Sequence, residues 1–323
     1  MDSEDLIIRR KGRFLTDDVG PAFTRIFHPG QVLYGSRRTY LKKVAIADFD
    51  GICANTTFVL ETKDNNIFTQ ELLPFIMLSD RFTEWSVSHS KGSTNPYVLF
   101  SDLADFEIEL PDINTQRSLA KKLTSAHNVK ESYKTLQKCT DEMVKSQFIE
   151  MFGQSSLDNG IIGDYLLLKA GKAMPADRIS SSKADGMFPC FGGNGIRGYV
   201  DSYNYDGDYA IIGRQGALCG NVCLAQGKFY ATEHAVVVTP KAIVDSTWLF
   251  FALNQMNLNQ YARGVAQPGL AVNELEKLPF SVPDINKQIE FSIIAKQADK
   301  SKFELKKSIE AIDKVIKSLI NNI

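Results

Sequence analysis

Histidine, cysteine, net charge and long apolar runs are all in short supply in this chain of 323 residues, and each shortage narrows what the chain does. Four scattered histidines leave a thin inventory for acid–base chemistry. Cys53, Cys139, Cys190, Cys219 and Cys223 form an odd, irregularly spaced set, which argues against a disulfide framework and for reduced thiols. Cys219 and Cys223 with His234 offer three candidate metal ligands and no second knuckle, so no metal is expected; a Cys223–His234 nucleophilic pair has only residue type in its favour. No apolar run approaches the ~18 residues of a membrane span, and the opening MDSEDLIIRRKGR lacks an apolar signal core, so the expected place is the cytoplasm, with no membrane partner. The balance of 37 basic against 38 acidic residues gives a net charge of −1. Any nucleic-acid contact must therefore come from local basic patches, or be shared with a partner that carries the positive field.

What is present is repetition. PDINTQ at Pro111–Gln116 returns as PDINKQ at Pro283–Gln288, 172 positions on (283 − 111 = 172). The same offset superposes Gly92 on Gly264, Pro96 on Pro268 and Leu103 on Leu275. Further upstream the offset becomes 178 (213 − 35 = 178), and Gly35, Val44, Ala47 and Val59 fall on Gly213, Val222, Ala225 and Val237. With 44% hydrophobic and 23% charged residues the composition supports two globular cores, and a duplication at this period means two copies of one supersecondary unit.

Within each copy, runs of Val, Ile, Phe and Tyr broken by Gly, Asp and Asn predict short strands and turns. After each PDIN phrase the pattern changes to steps of three and four, with some gaps: Leu119, Leu123, Ala126, Tyr133, Leu136, Met143 and Gln147, then Phe291, Ala295, Ala298, Leu305, Ile309, Ile312, Ile316 and Leu319. That spacing predicts a coiled-coil seam. No Gly or Pro interrupts Gln116–Phe152, so a continuous helix there spans about 55 Å at 1.5 Å per residue. Asn114 and Asn286 are the expected N-caps, with Asp112 and Asp284 as turn or capping residues beside them. The expected fold class is α+β: two repeated β-rich domains, each followed by a long helix, the two helices paired as an antiparallel coiled coil. The expected domains are residues 1–114, 115–153 (first helix), 154–286 and 287–323 (second helix). The second copy has 59 residues (154–212) ahead of Gly213 and the first only 34 ahead of Gly35, so the first is expected to be shortened at its front by about 25 residues.

Several motifs match catalytic signatures in letters only. FGGNGIRG contains GxGxxG at Gly193, Gly195 and Gly198, yet neither follows an apolar strand nor opens a helix, as a dinucleotide site requires; turns are expected. Asn95-Pro96-Tyr97 resembles an adenine-methyltransferase signature, but no glycine-rich strand-to-helix loop accompanies it to hold S-adenosylmethionine. Pro283-Asp284 with Glu304-Leu305-Lys306 has nuclease spacing, but Leu305 belongs to the helical seam. The chain is expected to be non-catalytic and to carry no cofactor.

The remaining constellation is a set of basic and amide-bearing loops present in both copies: Arg37, Arg38, Lys42, Lys43 and Lys91 in the first; Asn194, Arg197, Arg214, Gln215, Arg263 and Gln267 in the second. Arg and Lys suit guanine edges and phosphates, Asn and Gln suit adenine edges. Each alone reads as an ordinary solvated side chain; recurrence at equivalent loops carries the case. With Gly213-Arg214-Gln215-Gly216, the ATEHAVVV segment from Ala231, the GVAQPGL turn from Gly264 and the two PDINxQ exits, the chain resembles the DNA-specificity subunit of type I restriction-modification systems. The first copy departs from that pattern by carrying GSRRT where the second has GRQG. The resemblance implies two recognition domains that read a bipartite target in double-stranded DNA. It also implies paired helices that set the spacing and dock modification (methyltransferase) subunits, with restriction subunits as further partners. An adaptor whose β-rich domains bind protein is the alternative from another functional class.

Overall fold

The computed structural model describes residues 6–8, 19–153, 160–216, 218–264 and 268–322. The chain divides into two compact units, residues 1–137 with 304–323 and residues 138–303. The first contains strands β1 (Phe23–Phe27), β2 (Val32–Gly35), β3 (Val44–Ile46), β4 (Gly51–Ala54) and β5 (Thr57–Leu60), then short helices α1 (Leu73–Ile76), α2 (Asp80–Ser88) and α3 (Phe100–Ala104), and the start of the long helix α4 (Ile113–Phe152). The second holds α5 (Ile162–Tyr165), β6 (Leu166–Ala170), β7 (Phe188–Gly192), β8 (Gly195–Val200), β9 (Tyr205–Asp206), β10 (Tyr209–Gly213), β11 (Val222–Ala225), β12 (Lys228–Ala231) and β13 (Ala235–Pro240). Helices α6 (Ser246–Gln255), α7 (Val272–Leu275) and α8 (Ile285–Asn321) follow. Each long helix gives one end to each unit.

The central strands read as unbroken apolar runs because both of their faces are covered. Side chains alternate across a strand. In β10 and β13, Ala210, Ile212, Val236 and Val238 face a helical core with Trp248, Leu249, Leu253 and Phe291, while Ile211 and Val237 face a second sheet through Phe191, Phe229 and Ala231. The first unit repeats this layering. Val32, Tyr34 and Phe58 pack with Phe75, Phe82 and Leu123, and Leu33 packs with Phe27, Ala45 and Cys53.

Strand register repeats as well. Val32 lies opposite Leu60 and Gly35 opposite Thr57; 178 positions on, Ala210 lies opposite Val238 and Gly213 opposite Ala235. Tyr34 pairs with Val44 as Ile212 pairs with Val222, and Phe27 with Gly51 as Tyr205 with Phe229. The duplication seen in letters is thus a duplication of hydrogen-bond ladders. The second unit adds β6 beside β13 and the β7–β8 hairpin beside β12, giving sheets β11-β10-β13-β6 and β8-β7-β12-β9 against β3-β2-β5 and β1-β4 in the first. Where the Gly171 N–H donates to the Ala235 carbonyl at 3.0 Å in the second unit, the first uses a side chain: Arg25 Nη1 donates to the Thr57 carbonyl at 3.2 Å. The Arg25 guanidinium also lies 5.2 Å above the Phe58 ring.

Both PDIN phrases open helices, two residues earlier than the expected boundaries, at Ile113 and Ile285. The capping residues are consequently Asp112 and Asp284, not Asn114 and Asn286. Their carboxylates accept the N–H of Asn114 at 3.0 Å and of Asn286 at 2.9 Å, as a residue one place ahead of the first helical turn is positioned to do. The final glutamine of each phrase is buried and locks the helix to its unit. Gln116 donates to the carbonyls of Pro111 at 2.8 Å and Ile67 at 3.0 Å and accepts from Thr69 N–H at 3.1 Å. Gln288 donates to Pro283 at 2.7 Å and accepts from Asp245 N–H at 2.9 Å.

Within each unit the two long-helix segments run antiparallel. In the first, Leu123 shares a core with Ile320 and Lys130 pairs with Asp313; in the second, Asp141 pairs with Lys302 at 2.6 Å and Phe148 meets Phe291 edge-on at 5.1 Å. The expected seam is corrected at Leu136 and Met143, both about half exposed; Val144 and Phe148 are buried instead. An α-helix drifts about 20° per heptad from a strict 3.5-residue repeat, and here the helix also packs against Trp248 and its neighbours rather than only against another helix. Among the described residues no helix is long and apolar enough to cross a membrane.

Candidate functional site

In each unit the candidate residues gather where the β2 or β10 strand ends and meets a later loop. The second unit shows the fuller arrangement. Arg214 N–H donates to the His234 carbonyl at 3.0 Å, the Arg214 carbonyl accepts Leu270 N–H at 2.8 Å, and Gly216 N–H donates to the Pro268 carbonyl at 3.0 Å. Gln215 bridges Gly269, and Arg263 bridges the same glycine from the other side. The GGNG sequence forms the β7–β8 hairpin: Gly192 pairs with Gly195, which leaves Gly193-Asn194 as a two-residue turn. No helix begins there, so its GxGxxG letters come without the helix N-terminus on which a dinucleotide pyrophosphate rests. The turn rests on the end of β10 through glycines, since a Cβ on Gly213 would stand 1.8 Å from the Gly193 carbonyl oxygen. Asn194 accepts from Asn221 Nδ2 at 3.0 Å, and Arg197 follows on β8 with its side chain exposed.

The first unit reproduces these contacts in homologous register. Ser36 accepts Val98 N–H at 3.0 Å, Arg38 N–H donates to the Pro96 carbonyl at 2.7 Å, and Arg37 and Lys91 both bridge Tyr97. Ser36-Arg37-Arg38 therefore stands where Arg214-Gln215-Gly216 stands, and Lys91 where Arg263 stands. The loop cations are tethered alike: Lys91 Nζ lies 3.4 Å from Asp102 Oδ2 and Arg263 Nη2 lies 3.1 Å from Glu274 Oε2. Lys277 and then Arg263 hold the Glu274 carboxyl below its ordinary range. Asp102 and Glu274 were not singled out from the sequence, although the 172 offset superposes them (274 − 102 = 172).

Two of the expected cations sit elsewhere. Lys42 turns inward, donating to the Leu78 carbonyl at 3.1 Å and pairing with Asp80 at 2.9 Å. Asp80 also meets Lys317 and Asn321, and with the Lys42 hydrogen bond as the main cause its carboxyl is pulled down to about 2. Lys43 lies on the β2–β3 turn, half-buried, its carbonyl accepting Gly35 N–H at 2.9 Å. Gln267 lies outside the described residues. The backbone adds a further contrast: Arg38 and Lys42 are left-handed at φ 52° and 45°, whereas Gly216 and Gly220 take the equivalent places at 91° and 85°.

The reactive-looking cysteines are placed in packing positions. Cys219 is fully buried, and burial pushes the Cys190 and Cys223 thiols up, away from the thiolate that a nucleophile or metal ligand needs. His234 pairs with its neighbour Glu233 at 3.3 Å.

Comparison with known proteins follows the same two-part division. The family described as the type I restriction modification DNA specificity domain matches twice, at residues 18–138 and 159–313. The EcoprrI type I restriction enzyme specificity subunit of Escherichia coli is 46% identical over 162 residues, covering 50% of this chain and 39% of that protein. A putative type I specificity subunit of Haemophilus influenzae is 29% identical over 114 residues, 34% of this chain and 30% of that one. The matched stretches thus span well under two thirds of either relative. Among solved structures, a type I restriction-modification S subunit from M. genitalium shares the fold with a TM-score of 0.65 at 16% identity, over 93% of this chain and 83% of that chain.

Proposed function

The chain belongs to the type I restriction-modification DNA specificity family, and on that premise we propose that it reads a bipartite sequence in double-stranded DNA, one half with each unit, without a catalytic step of its own. The observation that carries this reading is the register-matched pair of loops, each presenting an exposed Arg or Gln beside an acid-tethered cation. Guanidinium and carboxamide groups read purine edges in the major groove, and tethered cations suit phosphates, which place a protein without specifying sequence. In this reading Arg37, Arg38, Lys91, Asn194, Arg197, Arg214, Gln215 and Arg263 form the DNA-facing set. Lys42 serves the first unit's own packing.

The long helices act as an antiparallel coiled-coil spacer between the half-sites. An α4 of 40 residues is about 60 Å long at 1.5 Å per residue, more than one DNA turn of roughly 34 Å. Modification subunits dock on the assembly and supply the S-adenosylmethionine chemistry, with restriction subunits joining as further partners. This division of labour fits a net charge of −1: a shared complex draws part of its phosphate contact from other subunits. The work is done in the cytoplasm, where the chromosome and its modification enzymes are.

The test is sequencing of methylated sites in a host that carries this chain with its modification subunits. A single methylated motif of two short blocks separated by a fixed unread gap is expected. A one-block or palindromic motif, or none, would overturn the proposal.

A further inference from the structure

We infer that positions 37 and 215 are equivalent base-reading positions, and that Arg37 selects a guanine in one half-site where Gln215 selects an adenine in the other. This rests on the DNA-reading function proposed above and deepens it to the level of a single base in each half.

Backbone equivalence comes first. Arg37 bridges Tyr97 and Gln215 bridges Gly269. The residue before each accepts an N–H from the residue after the bridge partner, at 3.0 Å from Val98 and 2.8 Å from Leu270; the residue after each donates to a proline carbonyl, at 2.7 Å to Pro96 and 3.0 Å to Pro268. Two side chains held by the same ladder leave the backbone at the same place and in the same direction.

The flanking positions do not form a matched pair of exposed side chains in the two copies. Ser36 is buried and its hydroxyl donates to the Thr56 carbonyl at 2.7 Å. Its counterpart Arg214 is half-buried, with Nε shielded from solvent. On the other side, Arg38 is matched by Gly216, which has no side chain to read with. Arg37 and Gln215 are both exposed, and neither side chain bonds to another described residue.

Comparison of the two copies separates the roles. At 91 and 263 both copies keep a cation, and both tether it to an acid at 102 and 274. Phosphates are the same under every sequence, so a phosphate contact has no reason to differ between half-sites. At 37 and 215 the exposure and backbone are kept while the hydrogen-bonding pattern changes from five donors to a paired donor and acceptor. Arg places two donors on guanine O6 and N7; Gln places one donor and one acceptor on adenine N7 and N6. A position that preserves geometry and changes chemistry is the one expected to carry sequence.

The test assembles the full chain with its modification subunits and selects binders from a pool of random duplexes. The unsubstituted complex should return a two-block motif. Arg37→Gln should switch one base of one block from guanine to adenine by about tenfold or more and leave the other block alone. Gln215→Arg should make the converse switch in the other block, and Arg37→Ala should relax its position to no preference. Lys91→Ala and Arg263→Ala should weaken all duplexes alike. If the two-block motif is present but neither exchange moves it, or if Lys91→Ala or Arg263→Ala alters a base preference, the inference is wrong while the DNA-reading function stands. Absence of any two-block motif from the unsubstituted complex would sink both.

Discussion

The two units build the same loop under different backbone rules. Both turn the chain through left-handed residues after their first central strand, but the second unit uses Gly216 and Gly220 and the first uses Arg38 and Lys42. Glycine enters that region freely, whereas a residue with a Cβ is strained there by about 1–2 kcal/mol. In the first unit one strained residue is anchored, Lys42 through Leu78 and Asp80, and the other, Arg38, stays exposed beside Arg37. The second unit spends its glycines on close packing as well. A Cβ on Gly220 would come within 2.4 Å of Asn259 N, and one on Gly213 would meet the Gly193 carbonyl. Two loops with one hydrogen-bond diagram can therefore be held by opposite means, side-chain anchorage in one and backbone contact in the other.

The sharpest way to break this comparison is an alanine at the paired strand ends. Gly213→Ala should destabilise the second unit by about 3 kcal/mol or more, because backbone and not a movable side chain blocks the new methyl. Gly35→Ala meets the Lys43 Cβ at 3.1 Å, with the Lys43 carbonyl oxygen at an ordinary contact distance of 3.7 Å, and should cost about 1 kcal/mol or less. Urea unfolding of the two variants measures the difference, and equal losses would refute the contrast. Next in size, the buried glutamines should behave alike: Gln116→Leu deprives the Thr69 N–H and the Pro111 and Ile67 carbonyls of their partner, and Gln288→Leu the Asp245 N–H and the Pro283 carbonyl, with an expected loss of about 2–4 kcal/mol in either unit. A large inequality in the same unfolding assay would show that the helices are not locked in the same way.

Left-handed residues provide a smaller test. Arg38→Gly should raise stability by about 1 kcal/mol through relief of strain, and Gly216→Ala should lower it by a similar amount, since space is open at Gly216 and only its φ objects. Thermal unfolding that moves both variants in one direction would contradict the assignment. The mildest effect is confined to acid. Asp80 has a folded pKa of about 2, below the unfolded carboxylate value of about 3.9. Its contribution is therefore fully present above about pH 4 and lost as pH falls through about 2. Asp80→Asn should lower stability at neutral pH and flatten the decline of the first unit between pH 4 and 2; an unchanged acid limb in a melting-temperature series would remove Asp80 from the account.

Much of this was legible in the sequence, because a duplication superposes residues without any knowledge of their contacts. The 178 and 172 offsets aligned Gly35 with Gly213 and Pro96 with Pro268, and those residues do occupy matching ladders. Lys42 shows where letters fail. Next to Lys43 and following two arginines it reads as one more surface cation, and only its left-handed backbone turns it toward Asp80, 38 residues away. Leu136 and Met143 show a second kind of failure, since helical spacing reveals that a stripe exists but not which neighbouring residue finally faces the core. Gln116 and Gln288 were visible as letters and opaque as chemistry: a glutamine gives no sign that it will be buried until its three or fewer partners have been placed around it.

Arg25 carries one more consequence. A strand edge closed by another strand is closed by backbone, which no point substitution can remove; the edge of β5 at Thr57 is closed by a guanidinium, which one substitution can. The first unit thus entrusts the Thr57 carbonyl to a single exchangeable side chain, and Arg25→Ala would leave that carbonyl without this donor.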